Sequence, residues 1–235
     1  MFRPALGRSS MSDSPNPELL RSLGRLVRGL SALFWGLPLA LLVCVQAAKT
    51  DWQWPLAISA PLVATGLLLF GLLEIGSFHK SERPWRAAVD RAKFLALINC
   101  GLSPFLYWWN QMPNNLFFTL TLGVMAFSGV LFLFGLNLVV LRLGDMLPDE
   151  ALRQETRQFT ALNRGLLAFL LFVAVLYFGL MQVREIPIGF ERMFFIALRT
   201  GPWFLLFLGL PPMAMTMALV WKAKEVVMDG VFGAK

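Results

Sequence analysis

Long apolar stretches alternate with short charged segments along this chain, and each apolar stretch is close to the length at which a helix crosses a bilayer. Such stretches occupy residues 30–48, 56–78, 94–109, 116–141, 165–181 and 194–221. A helix rises about 1.5 Å per residue, so about 20 residues cross a hydrocarbon layer of about 30 Å. The pattern predicts an all-α fold, namely a polytopic membrane helix bundle with about six transmembrane helices arranged as three hairpins.

The third stretch is short and carries polar residues, so a re-entrant segment is the competing interpretation for it. Asn99, Ser103 and Pro104 lie in its middle. With six crossings, 17 of the 21 lysines and arginines lie on the side of both termini, and 4 lie on the other side. A re-entrant segment would scramble this positive-inside bias. The sequence therefore predicts six crossings with the N-terminus and the C-terminus in the cytoplasm, and a bacterial inner membrane is the default location.

Composition indicates that lipid is the solvent of this chain. Hydrophobic residues make up 57% of the 235 residues and charged residues 15%, with mean hydropathy +0.64, whereas soluble domains are about 45–50% apolar and about 25% charged. The basic residues that give the net charge of +7 lie at the ends of the apolar stretches and do not form a single patch. We therefore expect membrane lipids, and other membrane subunits or a second copy, as partners, and no nucleic acid. The sequence predicts a disordered or weakly ordered tail over residues 1–18 and a single transmembrane domain over residues 19–235.

A recurring spacing of polar residues suggests an internal repeat. In three places a basic residue is followed seven positions later by another and eighteen positions after that by a glutamine. These sets are Arg21, Arg28 and Gln46; Arg86, Lys93 and Gln111; and Arg157, Arg164 and Gln182. They suggest hairpin repeats over 19–80, 81–147 and 148–235, although any span bounded by a cation inside and a polar residue outside would give a similar pattern. The six basic residues are candidate contacts to lipid or to a partner, and the alternative is a set of solvated charges that only fix topology.

Three polar residues within the apolar stretches are candidates for function or for packing. Glu74 lies in the apolar run 67–78 and could take up a proton or hold a cation, since an acid in lipid is costly. It lies about one turn from the cytoplasmic end, where pairing with Lys80 or Arg142 is the alternative. Asn99 and Asn137 are expected deeper in the membrane, where interhelical hydrogen bonds are favoured over substrate contacts. A transport site would require a hydrated cavity joining Glu74 to one of these asparagines.

Motifs that carry chemistry are scarce. His79 is the only histidine, which excludes a haem held by two histidines and a metal site built from several. No phosphate-binding loop, dinucleotide fingerprint, zinc-protease motif or serine-hydrolase motif occurs, so we predict no catalytic, cofactor-binding or metal-binding residue and no enzyme activity. The leading hypothesis is a non-catalytic subunit of a larger membrane assembly. The alternative is a small-solute or lipid transporter with its site near helices kinked by prolines, namely Pro38, Pro61, Pro104, Pro202, Pro211 and Pro212.

Overall fold

The computed structural model describes the backbone of residues 17–49, 55–78, 82–112, 115–146, 150–181 and 191–232. Side chains are described there except at 17–20, 151–152, 155, 178, 180–181, 191–203 and 230–232. The helices are α1 (Pro17–Lys49), α2 (Leu56–Ile75), α3 (Arg83–Leu102), α4 (Phe105–Gln111), α5 (Leu116–Met146), α6 (Glu150–Met181) and α7 (Glu191–Phe232). Within these ranges there is no strand, which confirms the predicted all-α class. The predicted tail up to residue 16, His79, Lys80 and Gln182 lie outside the described residues.

Five helical segments are long and apolar enough to cross a membrane. They are Arg21–Lys49, Leu56–Ile75, Leu116–Met146, Thr156–Tyr177 and Phe204–Asp229. In α1 and α6 the charged lead runs into the apolar stretch without interruption, so each of these helices is longer than its predicted span. Length and composition therefore support a multi-pass membrane protein.

The third predicted span is not one continuous helix and is not among these five segments. The helix is interrupted between α3 and α4 at Ser103 and Pro104. Both residues nevertheless keep right-handed helical backbone angles, with φ −57° and ψ −34° at Ser103 and φ −63° and ψ −25° at Pro104. Pro104 has no N–H to donate to the carbonyl of Cys100. The Ser103 hydroxyl donates to that carbonyl at 2.9 Å. The side chain thus replaces the bond that the proline removes.

Contacts with α5 show that α3 and α4 run in the same overall direction. A Cβ atom added at Gly135 would lie 3.6 Å from Ala92, Asn99 is bonded to Ser128, and the ring of Phe105 lies 6.0 Å from that of Phe117. The position on α5 therefore falls as the position on α3 and α4 rises. Helices α3 and α4 together form one kinked arm that lies antiparallel to α5.

The helices pack as three antiparallel hairpins, and contacts between the hairpins close them into a ring. The hairpins are α1 with α2, α3–α4 with α5, and α6 with α7, and further contacts join α2 to α3, α5 to α6 and α7 to α1. Because helix directions alternate, most of the described charges fall at one end of the bundle. This end, called the basic end below, carries Arg21, Arg25, Arg28, Arg83, Arg86, Arg91, Lys93, Arg142, Arg153, Arg157, Arg164, Lys222 and Lys224.

The hydrophobic core occupies the half of the bundle nearest the basic end. Its members come from α1, α2, α3, α5 and α7, within residues 26–40, 64–75, 85–96, 132–143 and 219–227 respectively. Among the described side chains, α6 contributes none to this cluster. Helix α6 therefore lies at the margin of the bundle, and its main contacts among the described residues are with α5 and α7.

Helices α1 and α2 approach closely where both carry glycine. A Cβ atom placed on Gly29 would lie 2.6 Å from the carbonyl oxygen of Gly71 and 2.6 Å from Cγ1 of Ile75. Glycines recur at similar depths in the three returning helices α2, α5 and α7, namely Gly71, Gly135 and Gly209. Gly135 faces Ala92, and Gly209 faces Leu170. Each glycine thus faces the outgoing helix of its own hairpin. This arrangement is consistent with a threefold repeat, which stays a prediction.

Candidate functional site

A hydrogen-bonded cluster of three uncharged side chains joins α5, α6 and α7. Asn137, Asn163 and Thr216 are each 0% exposed. The Asn163 amide donates to Oδ1 of Asn137 at 3.1 Å, to Oγ1 of Thr216 at 2.9 Å and to the carbonyl oxygen of Pro212 at 3.1 Å. One side chain of α6 therefore bonds to both neighbouring helices. These residues are called the Asn–Asn–Thr cluster below.

The two N–H groups of the Asn163 amide are shared among these three acceptors, and further hydrogen bonds connect Asn137 and Thr216. The Asn137 amide donates to the carbonyl of Leu133 at 2.9 Å and to Thr216 at 3.2 Å. The Thr216 hydroxyl in turn donates to the carbonyl of Pro212 at 2.8 Å. A hydroxyl has one donor and two acceptor sites, so Thr216 can satisfy all three contacts at once. The cluster holds three helices together and contains no group that titrates near neutral pH.

The α6 member of the cluster was not predicted from the sequence. Its buried face consists of side chains at i, i+4, i+7, i+11 and i+14: Thr156, Thr160, Asn163, Leu167 and Leu170. Asn163 lies beside Arg164, just before the predicted fifth span, and so lies outside the apolar stretches in which polar candidates are expected. The available signal was the spacing of two threonines and an asparagine along one helix face. Both Oδ1 of Asn163 and Oγ1 of Thr160 are buried without a hydrogen-bond partner among the described residues.

Asn99 also lies in an interhelical contact. It is 8% exposed, and its Oδ1 accepts a hydrogen bond from the Ser128 hydroxyl of α5 at 2.8 Å. Its amide donates to the carbonyl of Leu95 at 2.9 Å. On the other side of the same kinked arm, the hydroxyls of Thr65 and Ser103 lie 3.5 Å apart. Polar contacts therefore link α2, the α3–α4 arm and α5 in sequence.

Glu74 differs from the two asparagines because one oxygen of its carboxylate lacks a partner among the described residues. Its Oε2 atom is buried without a hydrogen bond in the described part of the chain. Arg142, one of its two predicted partners, lies 3.9 Å from Asp145 instead, and Lys80 is outside the described residues. No hydrogen bond joins Glu74 to Asn99 or Asn137 among the described side chains.

Two surface depressions lie at the basic end. One, of about 470 Å³, is lined by Arg21, Gly24, Arg25 and Arg28. The other, of about 280 Å³, is lined by residues of α3 and α5 with their flanking segments: Phe78, Glu82, Pro84, Trp85, Arg142, Leu143, Asp145 and Met146. Neither depression is lined by Glu74, Asn99 or Asn137.

The six basic candidates fall into two kinds of environment. Lys93 lies 3.7 Å from Asp90, and Arg157 lies 3.0 Å from Asp145. The remaining four have exposed side chains: Arg21, Arg28, Arg86 and Arg164. The structure places all six at the basic end and does not test what they contact there.

No group of three or more His, Cys, Asp or Glu side chains that could hold a metal occurs among the described residues, and Cys44 and Cys100 are free thiols. The chain matches no protein-family model, no curated protein and no solved structure. Function is therefore inferred from the geometry of the bundle and the distribution of its charges.

Proposed function

We propose that this protein is a non-catalytic integral subunit of a larger membrane assembly, to which it contributes a helix surface. The observation that carries this proposal is that the buried asparagines are bonded to their neighbours, while one helix leaves much of its apolar surface uncovered. Interhelical hydrogen bonds made by the buried amides hold the helices of the bundle in fixed positions. The uncovered apolar surface supplies area that a partner helix can pack against.

Six crossings with both ends in the cytoplasm are part of this proposal. The kinked α3–α4 arm follows α5 from Ala92 to Phe105, which supports a third outward crossing in place of a re-entrant loop. The basic end carries most of the arginines and lysines, and such an excess is typical of the cytoplasmic side of a membrane. A bacterial inner membrane stays the predicted location.

Helix α6 supplies the partner surface that we propose. Beyond Leu170, no described side chain of α6 is buried. The side chains of Phe169, Phe172 and Leu176 share one face and are 51%, 60% and 50% exposed. The most apolar windows of α6 and α7 are each 22% buried, compared with 39% in α2, and α6 is also the helix that contributes no described side chain to the core cluster. A transmembrane helix of another chain packed on Phe169, Phe172 and Leu176 would cover what the protein's own bundle leaves open.

Truncation of this α6 face tests the subunit role. The tagged protein is purified in a gentle detergent and its companion chains are counted by native mass spectrometry. In the wild type we expect a stoichiometric companion, and in the double variant Phe169→Ala/Phe172→Ala about 30-fold weaker association with it, because two central interface aromatics at about 1 kcal/mol each contribute about 2 kcal/mol. The matched control is Phe70→Ala/Leu73→Ala, two exposed apolar side chains with the same spacing on α2. The control should retain the companion.

Two results would count against this proposal in different ways. A wild-type protein that is purified only as a monomer would contradict the subunit role. Equal loss of the companion from the α6 variant and the α2 variant would contradict the assignment of the surface to α6.

A small-solute or lipid transporter is the second candidate, and the buried Oε2 of Glu74, which has no partner among the described residues, favours it. We expect Glu74→Gln to leave assembly intact, because glutamine keeps the shape of glutamate and no described hydrogen bond depends on Oε2. Native mass spectrometry should give unchanged stoichiometry. The control Glu225→Gln makes the same change at an exposed carboxylate of α7.

A Glu74→Gln protein that fails to assemble while Glu225→Gln assembles would refute this expectation. Proton flux into proteoliposomes, followed with an internal pH dye, separates the two functions. A flux that Glu74→Gln abolishes and Glu225→Gln preserves would support transport over the subunit role.

A further inference from the structure

Three arginines of α1 share one exposed face at the basic end. Arg21, Arg25 and Arg28 are spaced at i, i+4 and i+7, so they follow one side of the helix. Together with Gly24 they line the depression of about 470 Å³. A Cβ atom at Gly24 would meet nothing within 4 Å, so the space between the arginines is open. These four residues are called the α1 arginine face below.

The α1 arginine face keeps its positive charge, unlike parts of the other two basic segments. Among the described side chains, no ion pair involves Arg21, Arg25 or Arg28, whereas Lys93 pairs with Asp90 and both Arg142 and Arg157 pair with Asp145. Where a neighbouring carboxylate of the protein already pairs with a cation, the binding of an external anion to that cation releases less free energy. The arginine face is therefore the stronger attractor of a negatively charged ligand.

Packing fixes both the rotation of α1 and the depth of this face. Leu26 and Leu30, on the opposite side of the helix, are 0% and 1% exposed in the core. The apolar stretch of α1 begins at Leu30, so Arg28 lies within one turn of it. At this depth guanidinium groups meet the phosphate layer of a bilayer, and the planar fork of arginine matches two phosphate oxygens.

We propose that the α1 arginine face binds the phosphate of an anionic phospholipid in the leaflet at the basic end. The phosphate lies over Gly24 between Arg21, Arg25 and Arg28, and the acyl chains run along the apolar surface of α1. The inference requires that the chain spans a membrane, and it is independent of the subunit role. It applies equally to a transporter.

Lipid titration by native mass spectrometry tests the site. The full-length protein in detergent is titrated with phosphatidylglycerol and, separately, with phosphatidylcholine. The variant Arg25→Gln/Arg28→Gln is compared with Arg83→Gln/Arg91→Gln, which removes two exposed arginines of α3. Each variant lowers the formal charge from +7 to +5, since two cations are removed (7 − 2 = 5). The two proteins thus differ in the position of the lost charges and have the same net charge.

We expect phosphatidylglycerol to bind the wild type more tightly than phosphatidylcholine does. The α1 variant should lose about 30-fold in phosphatidylglycerol affinity, since each basic residue near an anionic surface contributes about a fivefold factor. The α3 variant should stay within about threefold of the wild type. Equal losses in both variants, or equal binding of the two lipids, would overturn the proposal. Displacement of the lipid by inorganic phosphate at equal concentration would overturn it in favour of a soluble phosphate source.

Discussion

Gly29→Ala is expected to lower the free energy of unfolding by about 3 kcal/mol, the largest stability loss that we predict for a single added methyl group. The new Cβ atom would lie 2.6 Å from the Gly71 carbonyl oxygen and 3.0 Å from the Ile75 backbone nitrogen. Backbone atoms cannot move aside as the end of a flexible side chain can. The α1–α2 hairpin must therefore separate, and overpacking of this kind typically costs about 1–3 kcal/mol. Unfolding in detergent, followed by circular dichroism against denaturant concentration, measures the loss.

Gly66→Ala is the matched control for this prediction. Gly66 also lies in the α1–α2 hairpin, but a Cβ atom there would meet nothing within 4 Å. Alanine favours a helix over glycine by up to about 1 kcal/mol, so this variant should be as stable as the wild type or slightly more stable. If Gly29→Ala were as stable as Gly66→Ala, the close approach of α1 and α2 at Gly29 would be wrong.

Asn163→Leu is expected to lower the free energy of unfolding by about 1 kcal/mol. Leucine has the same branched arrangement of side-chain atoms as asparagine, but it removes the two N–H donors that are shared among Asn137, Thr216 and Pro212. Interhelical hydrogen bonds in membrane proteins average about 0.6 kcal/mol each, so two give about 1 kcal/mol. The same unfolding measurement applies, and α6 should separate from α5 and α7 first.

Ser128→Ala provides the comparison, because it removes one interhelical bond, that to Asn99 at 2.8 Å. Its expected loss is about 0.6 kcal/mol. A loss for Asn163→Leu no greater than that for Ser128→Ala would show that the Asn–Asn–Thr cluster contributes no more than a single contact.

Local features of the sequence predicted the helical class and the starts of two helices. The apolar stretches that begin at residues 56 and 116 start where α2 and α5 start. This agreement arises because an apolar run of spanning length and the turn before it are both set by neighbouring residues in the sequence. Pro104 likewise marked the position where the third span is interrupted, since a proline removes a backbone donor wherever it occurs. The uneven distribution of basic residues is also a property of the sequence, and it supports the proposed orientation without any knowledge of packing.

Tertiary structure decided which side chains meet. Asn163 follows a charged lead and precedes an apolar stretch, and only the positions of α5 and α7 show that it is fully buried between them. Gly29 and Gly71 are 42 positions apart by their numbers, and only the rotation of both helices brings their backbones together. Amino-acid type and spacing fix the faces of a helix, whereas the partner of each face depends on long-range packing. The sequence therefore determined the all-α class and the starts of α2 and α5, and the packed bundle determined the Asn–Asn–Thr cluster, the glycine contact and the uncovered face of α6.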